Sequence, residues 1–411
     1  MFYCQHVLGI GHLVRSSEIV RALQQDFDVL FVSGGAPVRG FPFPDRARVE
    51  ALPPLETDEE FSGLRATGNA SLEQVKEIRK ELLLRLLDDH RPDVLVVELF
   101  PFGRKGFSFE LLPLLERARA QGTKIVSSVR DLLVRKQDQA AREEWSLKIF
   151  DRFFDLLLVH SDPHLVSFDE SFDNLARLEG RLRYTGYVSE RGGSPNGERD
   201  SSAAGDTKAP HILVSVGGGR CEAGYKLIKT ALESAKLERC ALWKFEVLSG
   251  PLVPDDVYAA MQSQAEGCPN ATLNRYAPDL RRRLGAADLS LSMAGYNTLM
   301  NILSTGARAL VCPFTGNEDK EQEYRARKLE ARGLLGVVEA SALEAESLAD
   351  AMQAQLNCAR SAMVFDLSGA ETTRLALLRL IKTRVRAASP PGPDSVRVPK
   401  QPLGVVQRVG R

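Results

Sequence analysis

The sequence predicts an α/β protein of two doubly wound parallel-sheet domains facing each other across a cleft. Three observations lead there. Short, continuously apolar runs alternate with helical patterns along most of the chain, the pattern of buried parallel strands joined by crossover helices. A polar stretch at 188–209, rich in Gly, Ser and acidic residues, divides that series in two. Glycine-rich or small-residue turns follow the strands near 9–11, 217–219 and 292–298, the places where open α/β sheets bind ligands.

In order along the chain, strands are predicted at 2–4, 29–33, 94–98, 125–129 and 156–160 of a first domain, 1–187. A helix fills 71–88, where Val75, Ile78, Leu82 and Leu86 recur at helical spacing behind a Ser71 cap. The second domain, 210–370, places strands at 212–216, 245–248, 289–292 and 310–313. Helices lie between and after them around 223–234, 279–284, 297–304 and 320–332. A closing helix at 371–387 and a proline-containing tail at 388–411 complete the chain. The first strand begins at Phe2 with nothing before it to lengthen it, so the natural start is expected a few codons upstream.

Composition narrows the function classes. Lys+Arg and Asp+Glu each number 54, giving a formal net charge of zero, which argues against a nucleic-acid binder working through bulk electrostatics. The six cysteines are scattered without metal-ligand spacing and read as reduced, buried small hydrophobes. The N-terminus lacks a basic lead, and the charge-free stretch 289–307 is broken by Ser, Gly, Asn and Thr, so neither reads as a signal peptide or a membrane span. A cytoplasmic protein is expected. Neutrality is itself a cancellation: 1–187 carries −4, 188–207 carries −2, 208–370 carries −1, and 371–411 carries +7. The basic end predicts peripheral contact with the anionic inner face of a membrane, with a solvated tail as the alternative.

Four segments carry candidate chemistry. Gly9, Gly11, His12 and Arg15 follow the first strand and open a helix, a turn suited to phosphate; His12 is there either a base or a cap of the turn. Gly217, Gly218, Gly219 and Arg220 follow the strand at 212–216, offering consecutive N–H groups and a fixed charge to a phosphate, or forming a plain turn. Ser292, Gly295, Asn297 and Thr298 supply close backbone approach and short hydrogen-bonding side chains, some of which also suit N-caps. The segment from Pro313 through Asn317 to Gln322 offers amides for sugar hydroxyls, or a solvated helix start.

At this point the residues carry a family likeness. The run SMAGYNTLMNILSTGARALVCPFTGNEDKEQEYRARKLEARG resembles the donor-binding region of family 28 glycosyltransferases, the MurG-type GT-B group. HVLGIGHLVRS, ELFPFGRKGFSFELLPLLE, SSVRDLL, RYTGYV and RYAPDLRRRLGAADLSLSMAGYNT together resemble a bacterial group described as predicted glycosyltransferases, in order from about residue 2 to residue 368. The resemblance implies two Rossmann-like domains, an acceptor held by the first and a nucleotide-sugar donor by the second, with the closing helix crossing back. It implies that Ala294, Gly295, Tyr296, Asn297 and Thr298 meet the donor diphosphate and that Gly218 and Gly219 line the same pocket. Tyr276 and Ala277 would lie beside the base, and Asn317 and Gln322 would address the hexose. The family commonly has Glu where this chain has Asn301, and an amide lacks the paired acceptance with which a carboxylate holds two ribose hydroxyls.

The reaction so implied is inverting transfer of a hexosyl group from a nucleoside diphosphate sugar, UDP by default, to a hydroxyl acceptor. Its first candidate base is His12 and its second Glu98, the latter having a charge pair with Arg104 or Arg130 as its other reading. Arg130 and Asp131 either position the acceptor or pair with each other. No metal site or cofactor is expected, the nucleotide sugar being a substrate. A nucleotide-sugar 2-epimerase and a non-catalytic nucleotide-sugar binder are the alternatives.

Overall fold

The computed structural model describes residues 1–7, 10–38, 40–57, 63–67, 70–135, 138–189, 209–218, 221–277, 279–314, 320–360 and 365–388, with side chains described up to 382. Most of the expected linker, from 190 to 208, and the tail from 389 onward lie outside these residues.

The first domain runs β1 (Phe2–Cys4), α1 (Gly11–Leu23), β2 (Leu30–Ser33), β3 (Arg48–Ala51), a small antiparallel pair β4 (Leu55–Glu56) and β5 (Arg65–Ala66), α2 (Leu72–His90), β6 (Val94–Glu98), α3 (Ser108–Ala120), β7 (Lys124–Arg130), α4 (Gln139–Phe153), β8 (Leu156–His160) and β9 (Leu182–Tyr184). Its seven-stranded sheet has the order β3-β2-β1-β6-β7-β8-β9, parallel throughout. The second domain runs β10 (His211–Ser215), α5 (Glu222–Ala235), β11 (Lys244–Leu248), α6 (Asp255–Glu266), β12 (Ala271–Asn274), α7 (Leu280–Ala286), β13 (Leu289–Met293), α8 (Tyr296–Thr305), β14 (Ala309–Cys312), α9 (Glu321–Glu330), β15 (Gly336–Val337) and α10 (Ala345–Asn357), before the long α11 (Gly369–Ala388). Its six strands are ordered β12-β11-β10-β13-β14-β15, again parallel.

The strands absent from the sequence reading include the four sheet edges, β3, β9, β12 and β15. An edge strand is covered on fewer sides, so its side chains need not be apolar. The exposed ends of β3 (RVEA) and the alternating exposure of β12 (ATLN) display this. Interior strands, buried on both faces, alternate side chains between two cores: Phe2 and Cys4 face α1, while Tyr3 faces the core built on Leu83, Leu95 and Phe150.

Ser71 caps α2 in a reciprocal box with Gln74. The buried face of α2 differs from the predicted one. Ile78 is half exposed, and Arg79 takes the inward position beside Val75, Leu83 and Leu86. A guanidinium tolerates this burial because every N–H finds an acceptor. Glu110 takes two bonds at 2.7 Å, Gln5 one at 2.7 Å, and the carbonyls of Gly34 and Pro53 accept at 2.9 and 2.7 Å. Tyr3 donates to the same Glu110 at 2.5 Å. The loops after β1 and β2 are thereby tied to α2 and α3.

The chain returns to its first domain at the end. Tyr187 N–H donates to Asp366 at 2.7 Å and Gly369 N–H to Tyr187 at 3.0 Å. The backbones are so close there that a Cβ on Gly369 would lie 2.5 Å from the Gly186 carbonyl oxygen. Beyond it, Ala370, Ala376 and Leu377 of α11 enter the core that holds Leu13, Ile19 and Val20 of α1, and Arg374 pairs with Asp26. Among the described residues no helix is long and apolar enough to cross a membrane.

Candidate active site

The carboxyl ends of both sheets open on one cleft of about 810 Å³ between the domains. From the first domain come the start of α1, the loop between β6 and α3, and the segment after β7; from the second come the turn after β10, the start of α8 and the start of α9.

His12 stands in the first turn of α1, whose N-cap, Ile10, supplies no side-chain bond to the free amides. Its Nδ1 lies 2.6 Å from Glu98 Oε1, and Arg15, one turn further along α1, donates to the same oxygen. Burial would raise the Glu98 carboxyl, but the adjacent imidazole, its hydrogen bond, Arg15 and Arg104 outweigh it and hold the group at about 2. Burial pushes the imidazole down to about 3 against the pull of Glu98. His12 is therefore neutral, its Nδ1–H donated to a fixed anion and its Nε2 lone pair left available.

That geometry bears on both readings of Glu98. The carboxylate is fully buried, His12 and Arg15 both meet its Oε1, and its Oε2 has no partner among the described residues. Its hydrogen-bonded partners are likewise these two and neither Arg104 nor Arg130, although Arg104 is near enough to act on it through space.

On the facing side, α8 begins at Gly295, which makes no side-chain cap, so the first-turn amides of a ten-residue helix point out of its N-terminus unpaired within the helix. Gly295 has φ −64° and ψ 149°, open to any residue, and a Cβ there would meet nothing nearer than 4.0 Å. Neither backbone nor packing demands glycine. Thr298 and Asn301 are buried on α8 and line the cleft, as do Gly218, the half-exposed Tyr276 and the buried Ala277. Gly217 turns the chain with φ +67°. Gln322 lines the cleft while accepting from Phe314 N–H at 3.2 Å. Gly9, Gly219, Arg220 and Asn317 lie outside the described residues.

Several residues do other work than expected. Ser292 is turned into the sheet, fully buried and 3.3 Å from Ser290 Oγ, because strand alternation points it away from the cleft. Ala294 is equally buried, in the core beneath α8. The Tyr296 hydroxyl donates to the His160 carbonyl at 2.8 Å and accepts from Val188 N–H at 3.3 Å, so the end of its side chain docks into the first domain. The Arg15 and Arg325 guanidinia lie 5.4 and 5.5 Å from its ring centroid. Asn297 likewise spans the domains, donating to the Gly11 carbonyl at 2.9 Å.

Arg130 and Asp131 do not pair with each other. Each reaches α9 of the second domain: Arg130 lies 2.5 Å from Glu321, an ion pair without hydrogen-bond geometry, and Asp131 receives Arg325 in two bonds of 2.5 and 2.8 Å. Arg325 and Asp131 are both fully buried. Further along the same helix face, Tyr324 and Lys328 meet Glu170. Glu321 and Arg325 were not among the residues singled out from sequence, and Arg104 entered there only as a partner for Glu98. The i, i+4 spacing of Glu321 and Arg325 suits an ordinary solvated ion pair, which is why it carried no signal.

Residues 212–363 match the glycosyltransferase family 28 C-terminal domain. The chain is similar to the UDP-N-acetylglucosamine--N-acetylmuramyl-(pentapeptide) pyrophosphoryl-undecaprenol N-acetylglucosamine transferases of Acidithiobacillus ferrooxidans, 27% identical over 36% of this chain and 40% of that protein, and of Caldicellulosiruptor saccharolyticus, 27% identical over 49% and 52%. The chain thus spans about half or less of the length of these curated relatives. Among solved structures it is similar to the calicheamicin glycosyltransferase CalG4, with a TM-score of 0.56 and 15% identity over 94% of this chain and 98% of that one. Acinetobacter baumannii MurG follows at 0.54 and 13% over 93% and 99%, and a Methanocaldococcus jannaschii UDP-GlcNAc 2-epimerase at 0.53 and 12% over 93% and 100%. At these identities the likeness establishes the fold, which is GT-B.

Proposed function

We infer, from a second domain that matches glycosyltransferase family 28 and a whole chain with the GT-B fold, that the protein transfers a hexosyl group from a nucleoside diphosphate sugar to a hydroxyl acceptor with inversion. UDP is the favoured base, the relatives being UDP-sugar transferases by name. The observation that carries this reading is the His12–Glu98 dyad set across the cleft from the uncapped start of α8, the two sides joined by the Asn297 to Gly11 hydrogen bond.

The chemistry follows from these positions. The N-terminus of α8 offers amides and a partial positive charge to the donor diphosphate, and the space left by Gly295 lets phosphate oxygens approach the backbone. As the bond from anomeric carbon to diphosphate breaks, the leaving oxygens gain charge and this helix terminus stabilises them. On the opposite face of the sugar, neutral His12 takes the acceptor proton at Nε2, and the anionic Glu98 stabilises the imidazolium that forms. Attack opposite the leaving group inverts the anomeric centre. Asn301, buried on α8, supplies an amide where a carboxylate is usual in the family, which predicts weaker ribose recognition.

The test is incubation of the purified protein with UDP-, GDP- and TDP-sugars, each with and without hydroxyl acceptors. Acceptor-dependent nucleotide release supports the transferase. Epimerised donor without acceptor overturns it in favour of a 2-epimerase, and stabilisation by nucleotide without turnover in favour of a binding protein. We also propose peripheral contact with anionic lipid through the basic end of the chain, which carries +7 over 371–411. Deleting 388–411, which removes +3 of that charge, should weaken co-sedimentation with phosphatidylglycerol liposomes, and unchanged binding would end that idea.

A further inference from the structure

A buried carboxylate beside a neutral imidazole leaves a net negative charge out of water, and a proton on the imidazole relieves it. His12 protonated in this way could not take a proton from an acceptor. Arg15 removes the conflict. It stands one turn beyond His12 on α1, is only 3% exposed, and donates to the same Glu98 oxygen that His12 Nδ1 meets at 2.6 Å. The other oxygen of Glu98 has no partner among the described residues, so His12 and Arg15 are what hold the carboxylate. Arg104 acts on it through space, whereas Arg15 is bonded to it. Carboxylate and guanidinium sum to zero, and the imidazole is left neutral. Burial is the chief force holding His12 down at about 3; Glu98 at the end of β6 opposes it, and Arg104 beyond β6 and Arg15 on α1 add to it. His160, at the end of β8, is likewise held neutral by burial. The α8 helix, packed on α1, carries no charged residue, and α11 meets α1 through Ala370, Ala376 and Leu377, its Arg374 pairing with Asp26.

What holds Arg15 comes from the other domain. Its Nε is buried and makes no hydrogen bond among the described residues, and its guanidinium lies 5.4 Å from the Tyr296 ring centroid at the start of α8. An aromatic face attracts a desolvated guanidinium and keeps water from it. The ring is itself fixed, its hydroxyl bonded to the His160 carbonyl and Val188 N–H, with Arg325, the partner of Asp131, on its flank at 5.5 Å. One chain of contacts thus runs from the interdomain ion pair through Tyr296 and Arg15 to Glu98 and His12. We propose that Arg15 is a positioning residue for the His12 base, supplying the counter-charge of Glu98 and held in place by Tyr296, so that the base is competent only with the two domains docked. This rests on the transferase reading and deepens it into a form of regulation. In the undocked protein Arg15 is solvated and His12 protonated, so neither water nor acceptor loses a proton to it until the cleft is assembled.

The test reads His12 directly. Full-length protein labelled with 15N-histidine is followed by NMR from pH 5.5 to 8, His12 being assigned by its loss in His12→Gln. Wild type should show a neutral His12 carrying its proton on Nδ1 throughout. Arg15→Met keeps the length of the side chain and removes its charge, so His12 should titrate with a midpoint of about 5 or higher, imidazolium being present at pH 5.5. Arg15→Lys should restore the neutral ring, and Tyr296→Leu, which leaves Glu98 and both its partners in place, should move His12 in the same direction as Arg15→Met. UDP affinity, read by calorimetry, should stay within about twofold of wild type in Arg15→Met. A His12 that stays neutral in Arg15→Met would overturn the proposal, and so would an unaltered His12 in Tyr296→Leu. A loss of UDP affinity of ~tenfold or more in Arg15→Met would make Arg15 a phosphate ligand and overturn it as well. If Arg15→Met does not fold, Tyr296→Leu decides alone. The expected response of His12 in a protein that releases no nucleotide from UDP-, GDP- or TDP-sugars would uphold the charge arrangement and sink the transferase reading instead.

Discussion

Asp131, one residue past the end of β7, and Arg325, on α9, form a doubly hydrogen-bonded ion pair that joins the two domains with both side chains fully buried. Arg130 and Glu321 stand immediately beside it on the cleft surface. The same short segment of α9 thus carries the domain contact and, through Gln322, part of the cleft wall.

Asp131→Asn should be strongly destabilising, because it leaves the Arg325 charge buried without its counter-ion. Removing one partner of such a pair costs about 3–5 kcal/mol. Replacing both, in Asp131→Leu with Arg325→Met, should recover most of the loss. Chemical denaturation of the four proteins of this cycle reads the coupling directly. A single variant as stable as wild type would mean that the pair is solvated in solution.

The sequence made most of the interior of both sheets legible, since β1, residues 94–97 of β6, 156–159 of β8 and 212–214 of β10 are continuous apolar runs with no other way to be buried. The edges lacked that signal. His12, Glu98 and the α8 turn were likewise found because strand ends and helix starts are where such folds bind ligands. The relationships between the domains were not legible. The domain contacts of Tyr296 and Asn297 were hidden because nothing local reveals that their partners are His160 and Gly11. Arg79 was passed over on α2 because its acceptors come from Gln5, Gly34, Pro53 and Glu110, spread over the first domain.

Glu98→Gln keeps the shape of the dyad and removes its charge. The amide oxygen can still accept from His12 Nδ1–H, but it no longer stabilises the imidazolium that forms as the acceptor proton is taken. We expect kcat to fall by about 10²–10⁴ with the donor KM little changed. His12→Ala should lose turnover while binding nucleotide normally. Initial rates over donor concentration separate the two effects, and near-normal turnover by the His12 variant would remove it from the mechanism.

Acid should destabilise the protein from the neutral side. His12 and His160 are each held at about 3 by burial, far below the value of 6.5 in an unfolded chain. Below pH 6.5 the unfolded state takes up protons that the folded state refuses, so stability is full above that pH and declines on the way to about 3. Two such groups give a slope of up to ~2.7 kcal/mol per pH unit. Glu98, held at about 2 against 4.5, adds its own loss only as pH falls below 4.5. Urea denaturation at pH 7.5, 6.5, 5.5 and 5.0 checks the first window. His160→Asn, which removes the ring bonded to Ser128 and Thr185, should flatten the slope by about half relative to its own value at pH 7.5.

Gly295→Ala separates binding from folding. At most glycines in a tight turn a methyl group either clashes or forces a disallowed backbone, so loss of function and loss of stability arrive together. Gly295 has neither problem: its φ of −64° is ordinary and a Cβ would sit 4.0 Å from Thr298 Oγ1, its nearest neighbour. Alanine there should leave Tm unchanged or raise stability by about 0.4–1 kcal/mol through the unfolded chain. A diphosphate held on the α8 amides needs the space that this methyl group takes, so UDP affinity should fall by at least ~tenfold. Calorimetry with UDP and a melting curve on the same preparation decide the matter. Full UDP affinity in a stable Gly295→Ala protein would move the diphosphate away from α8 and with it the geometry from which inversion by His12 was argued.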